Sequence, residues 1–172
     1  MSCPQNGCVS GSYELAEVNI ARMRGALEDP IMAPLVALLD EVNALADASP
    51  GFVWRFQMEN GNATYLRPYD DDRILFNLSV WTSVGALKSY TYGGAHAKVF
   101  ARRREWFDRF EGMAVALWWV PAGHRPSVEE AKERLAHLQE YGPSRFAFTF
   151  RSLEPPGPDR AVAGPADTIE SP

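Results

Sequence analysis

The side chains best suited to chemistry in this chain are His96 and Arg103, seven positions apart in a segment otherwise rich in large apolar residues. At about 100° per residue, a helix over 94–110 would gather Val99, Phe100, Trp106, Phe107 and Phe110 on one arc, with His96 and Arg103 in its middle. Lys98, Arg102, Glu105, Asp108 and Arg109 would take the wet face. A guanidinium cannot shed its charge and is costly to bury without partners. Arg103 is therefore expected to meet a structural carboxylate, Glu17 or Glu111, to snorkel past the helix edge, or to grip the carboxylate or phenolate of a ligand with its planar fork. His96 has two readings from the sequence itself: a general base titrating near neutrality, or a core histidine bonded to backbone.

Other polar side chains interrupt apolar stretches in a similar way. Asn19 and Asn77 fall within candidate strands, and Asn77 shares its face with Ser79 and Trp81. Each buried amide needs a partner, from a polar pocket or from an interface. Trp54, Trp81, Tyr92, Phe100, Trp106 and Trp118 either pack a core or line a pocket for a planar ligand, as apolar and aromatic walls commonly do. His124 lies in the loop 121–126, where residues carry function more often than core ones do, although a plain surface histidine is the commoner case. His137 falls on the exposed side of a helix and is set aside. Asp70, Asp71 and Asp72 point apart in an extended chain and read as a solvated loop, not a cation site.

Several elements must hold these residues. Alternation predicts a strand over 13–21, and Asp29-Pro30 supplies a cap and first turn for a helix ending at 46. A strand over 52–58, a turn at Asn60-Gly61 and a strand over 74–81 follow. A short helix over 83–90 precedes the His96 helix. Residues 113–120 form a strand apolar on both faces. Ser127 and Glu130 make a capping box for a helix to 141, stopped by Gly142-Pro143, and 146–150 form a last short strand. The order β-α-β-β-α-β, then α-β, predicts an α+β fold of the split βαβ, ferredoxin-like type with an antiparallel sheet. Helices are expected on one face only. The other face, made apolar by Val115 and Leu117, calls for a second copy and hence a homodimer. The ordered domain is expected over 13–153, between a disordered head (1–12) and a disordered tail (154–172).

Composition narrows the function classes. The 172 residues suffice for one domain with a real core, and a net charge of −5 argues against a nucleic-acid partner. No apolar run approaches a membrane span and no signal sequence is seen at the N-terminus, so the chain is expected to be cytoplasmic. Cys3 and Cys8 match no zinc spacing. Phosphate-binding loops, the dinucleotide glycine fingerprint, the nucleophile elbow and paired metal histidines are all missing from the sequence. No cofactor is expected from these motifs.

The stretches Glu17-Val-Asn-Ile-Ala-Arg22, Ser49-Pro-Gly-Phe-Val-Trp-Arg55, Ser79-Val-Trp-Thr-Ser-Val84, His96 through Arg102-Arg-Arg-Glu-Trp-Phe107 and Leu117-Trp-Trp-Val-Pro-Ala-Gly-His-Arg-Pro126 resemble the DUF3291 family. The resemblance implies a dimeric α+β barrel, similar to the antibiotic-biosynthesis monooxygenase superfamily, and no agreed activity. One departure is Tyr92-Gly-Gly-Ala before His96, where related chains carry a bulkier Arg-Ser pair. That superfamily holds cofactor-free oxygenases, isomerases, haem enzymes and ligand binders, so fold alone decides little. The expectation is a small-molecule enzyme of secondary metabolism: a cofactor-independent oxygenase, isomerase or cyclase. It would act on an aromatic or polyketide-like substrate by proton abstraction. His96 would move the proton and Arg103 would stabilise the enolate or phenolate, while Asn19, Trp54, Asn77, Trp81, Tyr92, Phe100, Trp106, Trp118 and His124 would bind the substrate. The alternatives are a haem enzyme with His96 as axial ligand and a non-catalytic ligand-binding module.

Overall fold

The computed structural model describes residues 12–57 and 66–158. Cys3, Cys8, the Asn60-Gly61 turn and the tail from 159 lie outside the described residues.

The longest strand, β1 (Tyr13–Arg22), is central. It pairs antiparallel with β3 (Ile74–Trp81) on one side and β4 (Val115–Pro121) on the other, while β2 (Phe52–Arg55) adds to the far edge of β3. The resulting order, β2-β3-β1-β4, is that of the split βαβ fold. Parallel crossovers are right-handed almost without exception, which sends both helical connections to one side of the sheet. There α1 (Ala33–Val36) and α2 (Leu39–Asp47) meet α3 (Val84–Tyr92) and α4 (Gly94–Ala101).

The opposite face is not bare. The amphipathic helix α5 (Val128–Tyr141) lays Ala131, Leu135 and Leu138 against Val18, Leu78, Ala116 and Trp118, all of them buried. Helices thus cover both faces, which corrects the expectation of helices on one side and removes the ground on which a second copy was required. Val115 and Leu117 point the other way, towards the α3 side, where Phe148 closes over Leu117. Residues 146–150 form no strand. Leu117 and Phe148 exchange a single pair of backbone hydrogen bonds (2.9 and 2.8 Å).

Two helices are shorter than their apolar periodicity suggests. The helix expected to 46 breaks at Ala37–Leu38 into α1 and α2, and Asp29 caps a preceding turn through the Ile31 N–H (2.9 Å) instead of a helix start. The helix expected over 94–110 ends at Ala101, followed by a 3-10 turn, Arg103–Glu105. From Trp106 on, the backbone joins the end of β1: Arg24 N–H donates to Trp106 O (2.8 Å) and Asp108 N–H to Arg22 O (2.9 Å). Those bonds, with Trp106 buried beneath them, replace the helical ones. The capping box of α5 is half formed. Ser127 Oγ accepts from Glu130 N–H (3.1 Å), but the Glu130 carboxylate turns away to the indole of Trp118.

Candidate active site

Between the sheet and helices α1 to α4 lies a cavity of about 1070 Å³. Its floor follows from strand alternation, which puts every second side chain on one face. The β1/β3 register sets Glu17 opposite Ser79 and Asn19 opposite Asn77, so four polar side chains form one ladder. Two chains of hydrogen bonds run inward along it. Trp81 Nε1 donates to Ser79 Oγ (2.9 Å), which donates to Glu17 Oε2 (2.9 Å). Asn77 Nδ2 donates to Asn19 Oδ1 (2.8 Å), and Asn19 Nδ2 donates to Glu17 Oε1 (2.9 Å). Glu17 is only 6% exposed. Burial pushes its carboxyl from the ordinary 4.5 to about 7, against the opposing pull of the Ser79 and Asn19 bonds, because desolvation penalises the ionised form. Near neutral pH such a group both takes and gives a proton.

The walls are aromatic. Trp81 stacks on Tyr90 (centroids 5.1 Å apart, planes 26°), Tyr90 lies 4.4 Å from the His96 ring, and His96 faces Phe100 at 6.3 Å. The Tyr90 hydroxyl donates to Val42 O (3.3 Å). Burial first, and then the Glu17 charge, push this phenol upward, so Tyr90 stays protonated. His96 Nδ1 sits 2.9 Å from Thr91 O. A carbonyl can only accept, so Nδ1 carries a hydrogen, and in the neutral ring it is Nε2 that bears the lone pair. The turn that permits this contact is Gly93-Gly94, where Gly93 ends α3 and caps α4. A Cβ on Gly93 would collide with the Ser89 carbonyl oxygen, and Gly94 has φ +55°. The missing side chains let the chain restart a helix at once and fold His96 back beneath Thr91.

Arg103 is not buried. It is exposed in the 3-10 turn, donates from Nη1 to Phe100 O (3.1 Å), and holds its guanidinium 4.4 Å from the Phe100 ring centre. The end of α4 before it takes Arg103 off the helical arc that the periodicity implied. Glu17 is engaged with Ser79 and Asn19 and not with Arg103. With Arg104 and Arg109, Arg103 lines the mouth of the cavity.

Of the other expected residues, Asn19, Asn77, Trp81 and Trp106 line the cavity, and the exposed Tyr92 and Phe100 stand at its rim. Trp54, Trp118 and His124 do not reach it. The register of β2 shifts between Phe52 and Trp54, and Trp54 packs into the core on the α5 side. Trp118 and His124 meet on that same side through Glu130, which accepts the Trp118 indole N–H (2.9 Å) and lies 2.8 Å from His124 Nε2. His137 is half-buried, not exposed, and packs against Tyr141 and Phe146.

Sequence reading treated Glu17 only as an arginine partner, although it is the centre of the ladder. The signal was present in polar residues at alternate positions of two strands, 17 and 19 with 77 and 79. Arg55, paired with Asp47 (2.8 Å), and Tyr90 also line the cavity. Among the described residues, no group of three or more His, Cys, Asp or Glu could hold a metal ion.

The fold is similar to those of several solved structures. One is SnoaB, a cofactor-independent oxygenase from Streptomyces nogalater, 20% identical over 67% of this chain and 96% of that one, with a TM-score of 0.43. Another is NE2512, a protein of unknown function from Nitrosomonas europaea, 14% identical over 68% of this chain and 98% of that one, with a TM-score of 0.43. Rv0793 from Mycobacterium tuberculosis is 17% identical over 66% of this chain and 99% of its own, with a TM-score of 0.42. At these identities the likeness is one of architecture alone. No curated protein matches the chain. A family profile does, over residues 14–163, and the chain belongs to that family, the domain of unknown function DUF3291.

Proposed function

We propose that the chain is a small-molecule enzyme that binds an aromatic or polyketide-like compound in the sheet–helix cavity and begins its conversion by removing a proton. Oxygenation, isomerisation and cyclisation all start from the anion so formed. The observation that carries this reading is the pairing of apolar, aromatic walls with a polar ladder confined to the floor, which suits a planar ligand with few polar groups. Two groups in the cavity can accept a proton, the Glu17 carboxylate and His96 Nε2. Arg103, Arg104 and Arg109 at the mouth favour a substrate with an anionic substituent there. The residues named here all come from one protomer. The homodimer stands as a separate proposal, tested by sedimentation.

The test uses a panel of hydroxynaphthalenes and hydroxyanthracenes. Binding is followed by quenching of Trp81 and Trp106 fluorescence, and turnover by oxygen uptake and product mass. Saturable quenching with turnover, both lost when Val99→Trp fills the cavity, supports the enzyme. Binding without turnover of any compound points to a ligand-binding module, and no binding at all sinks the reading. Haem added in the same way gives a Soret band lost in His96→Ala if the haem alternative holds.

A further inference from the structure

We propose that Glu17 is the proton-transferring residue of the cavity, taking a proton from a carbon acid laid against the sheet while Ser79 offers a hydrogen bond to the oxygen that becomes charged. This rests on the small-molecule reading above and moves the chemistry from helix α4 to the central strand.

Glu17 is placed where a base can be held still. It sits in the middle of β1, paired with a strand on each side, so its backbone is among the most firmly held in the fold. Its side chain lines the cavity yet is almost wholly withdrawn from solvent. A carboxyl kept in such a place costs stability, and an apolar residue of similar size would fill the space more cheaply. Strained ionisation of this kind concentrates at functional sites.

The hydrogen bonds around it all run one way. Four donors point along two chains, and both chains end on Glu17, one on each carboxylate oxygen. The ionised form is thereby fixed in orientation before any ligand arrives, which is what a base needs in order to act without reorganisation.

Protonation also leaves the site poised for the substrate oxygen. Once Glu17 carries a proton, its O–H needs an acceptor, and Ser79 Oγ lies 2.9 Å away. That oxygen accepts from Trp81 Nε1 and has a second lone pair available. Ser79 must then turn its own hydrogen elsewhere, and the cavity it lines is the open direction. In the reaction, the substrate C–H bond breaks and the proton goes to Glu17. The bonding pair becomes the enolate double bond, and the carbonyl π pair moves to oxygen. Ser79 keeps its proton and turns its O–H to donate a hydrogen bond to that oxygen as the charge arrives. Return of the proton to another carbon yields an isomer, with no oxidant or metal required for the step. His96, held by Thr91 between Tyr90 and Phe100, is a positioning residue for the ring of the ligand.

Nitrobenzisoxazole tests this directly, because its ring opening needs only a base. Loss of the ring-carbon proton breaks the N–O bond, forms a nitrile and releases a coloured phenolate. The wild-type protein should open it with saturable kinetics and a rate that rises with pH through one ionisation near 7. Glu17→Gln, nearly the same in shape, should lower the rate about 100-fold or more, the usual worth of a general base. Ser79→Ala keeps the base but removes a bond favouring its charged form, so the midpoint should move upward. His96→Ala should change KM and leave the midpoint in place. An unchanged rate and profile in Glu17→Gln, or loss of the ionisation in His96→Ala alone, overturns the assignment. Fluorescence quenching by the probe without accelerated opening overturns it too, while leaving the small-molecule reading intact. Absence of quenching by the probe and by the hydroxynaphthalene and hydroxyanthracene panel alike removes both.

Discussion

Replacing Glu17 by Gln should change how stability depends on pH, and the size of the effect follows from the burial of one carboxyl. In the unfolded chain Glu17 ionises at its ordinary 4.5, whereas in the fold it does so at about 7. A folded value above the unfolded one contributes stability that is full below 4.5 and lost as pH rises through 7. At roughly 1.4 kcal/mol per pH unit, the whole displacement corresponds to about 3 kcal/mol. Most of this should disappear between pH 5 and pH 8. The measurement is urea unfolding of the wild type and Glu17→Gln across that range, taking the difference in unfolding free energy at each pH. Other titrations occur in both proteins and cancel. The wild type should lose ground steadily against the variant as pH rises, with most of the change before pH 7. A difference that stays flat within about 0.5 kcal/mol would refute the claim that burial holds this carboxyl protonated.

Other perturbations test the rest of the site. Arg103→Ala should alter stability by less than about 0.5 kcal/mol, as for an ordinary surface residue, while weakening binding of naphthalene carboxylates relative to neutral naphthols; thermal unfolding and fluorescence titration read the two effects. Gly93→Ala should cost about 1 kcal/mol or more by forcing a Cβ against the Ser89 carbonyl, and it should also weaken ligand binding because the His96–Thr91 contact shifts. Glu130→Ala removes the acceptor of the buried Trp118 indole N–H and should cost about 1–3 kcal/mol. Ligand titrations should show its cavity unaffected, because Glu130 lies on the α5 side.

Much of the architecture was legible because it rests on local patterns. The alternation of 13–21 and 74–81, the cap at Ser127 and the stop at Gly142-Pro143 each specify a local geometry, and the βαββαβ order leaves few topologies. The end of α4 was not legible. Nothing between Ala101 and Phe110 is a helix breaker, and the winning interaction is a backbone pairing of Trp106 and Asp108 with β1, remote in sequence. Arg103 followed that error, since its apparent burial depended on an unbroken helical arc. The covering of the second sheet face was missed for a related reason: the periodicity of 128–141 shows an apolar stripe but not which surface it meets. His96 lies before the break and lines the cavity. Glu17 was visible as a charge within an apolar strand, yet only the β1/β3 register reveals that three polar neighbours converge on it.

The same ladder bears on how the chain finds its fold. If β1 slid by one residue against β3, Glu17 and Asn19 would turn under α5, among Leu135, Leu138 and Trp118, while Val18 and Ile20 would face the polar side chains of Asn77 and Ser79. Both faces would then be wrong at once, one with a carboxyl stranded in oil and the other with amides lacking their partners. The residues that make the cavity floor polar therefore also proofread strand alignment during folding. A redesign that rendered the floor wholly apolar would relieve the burial of Glu17 but remove that safeguard, and should yield a more stable chain that tolerates misaligned sheets.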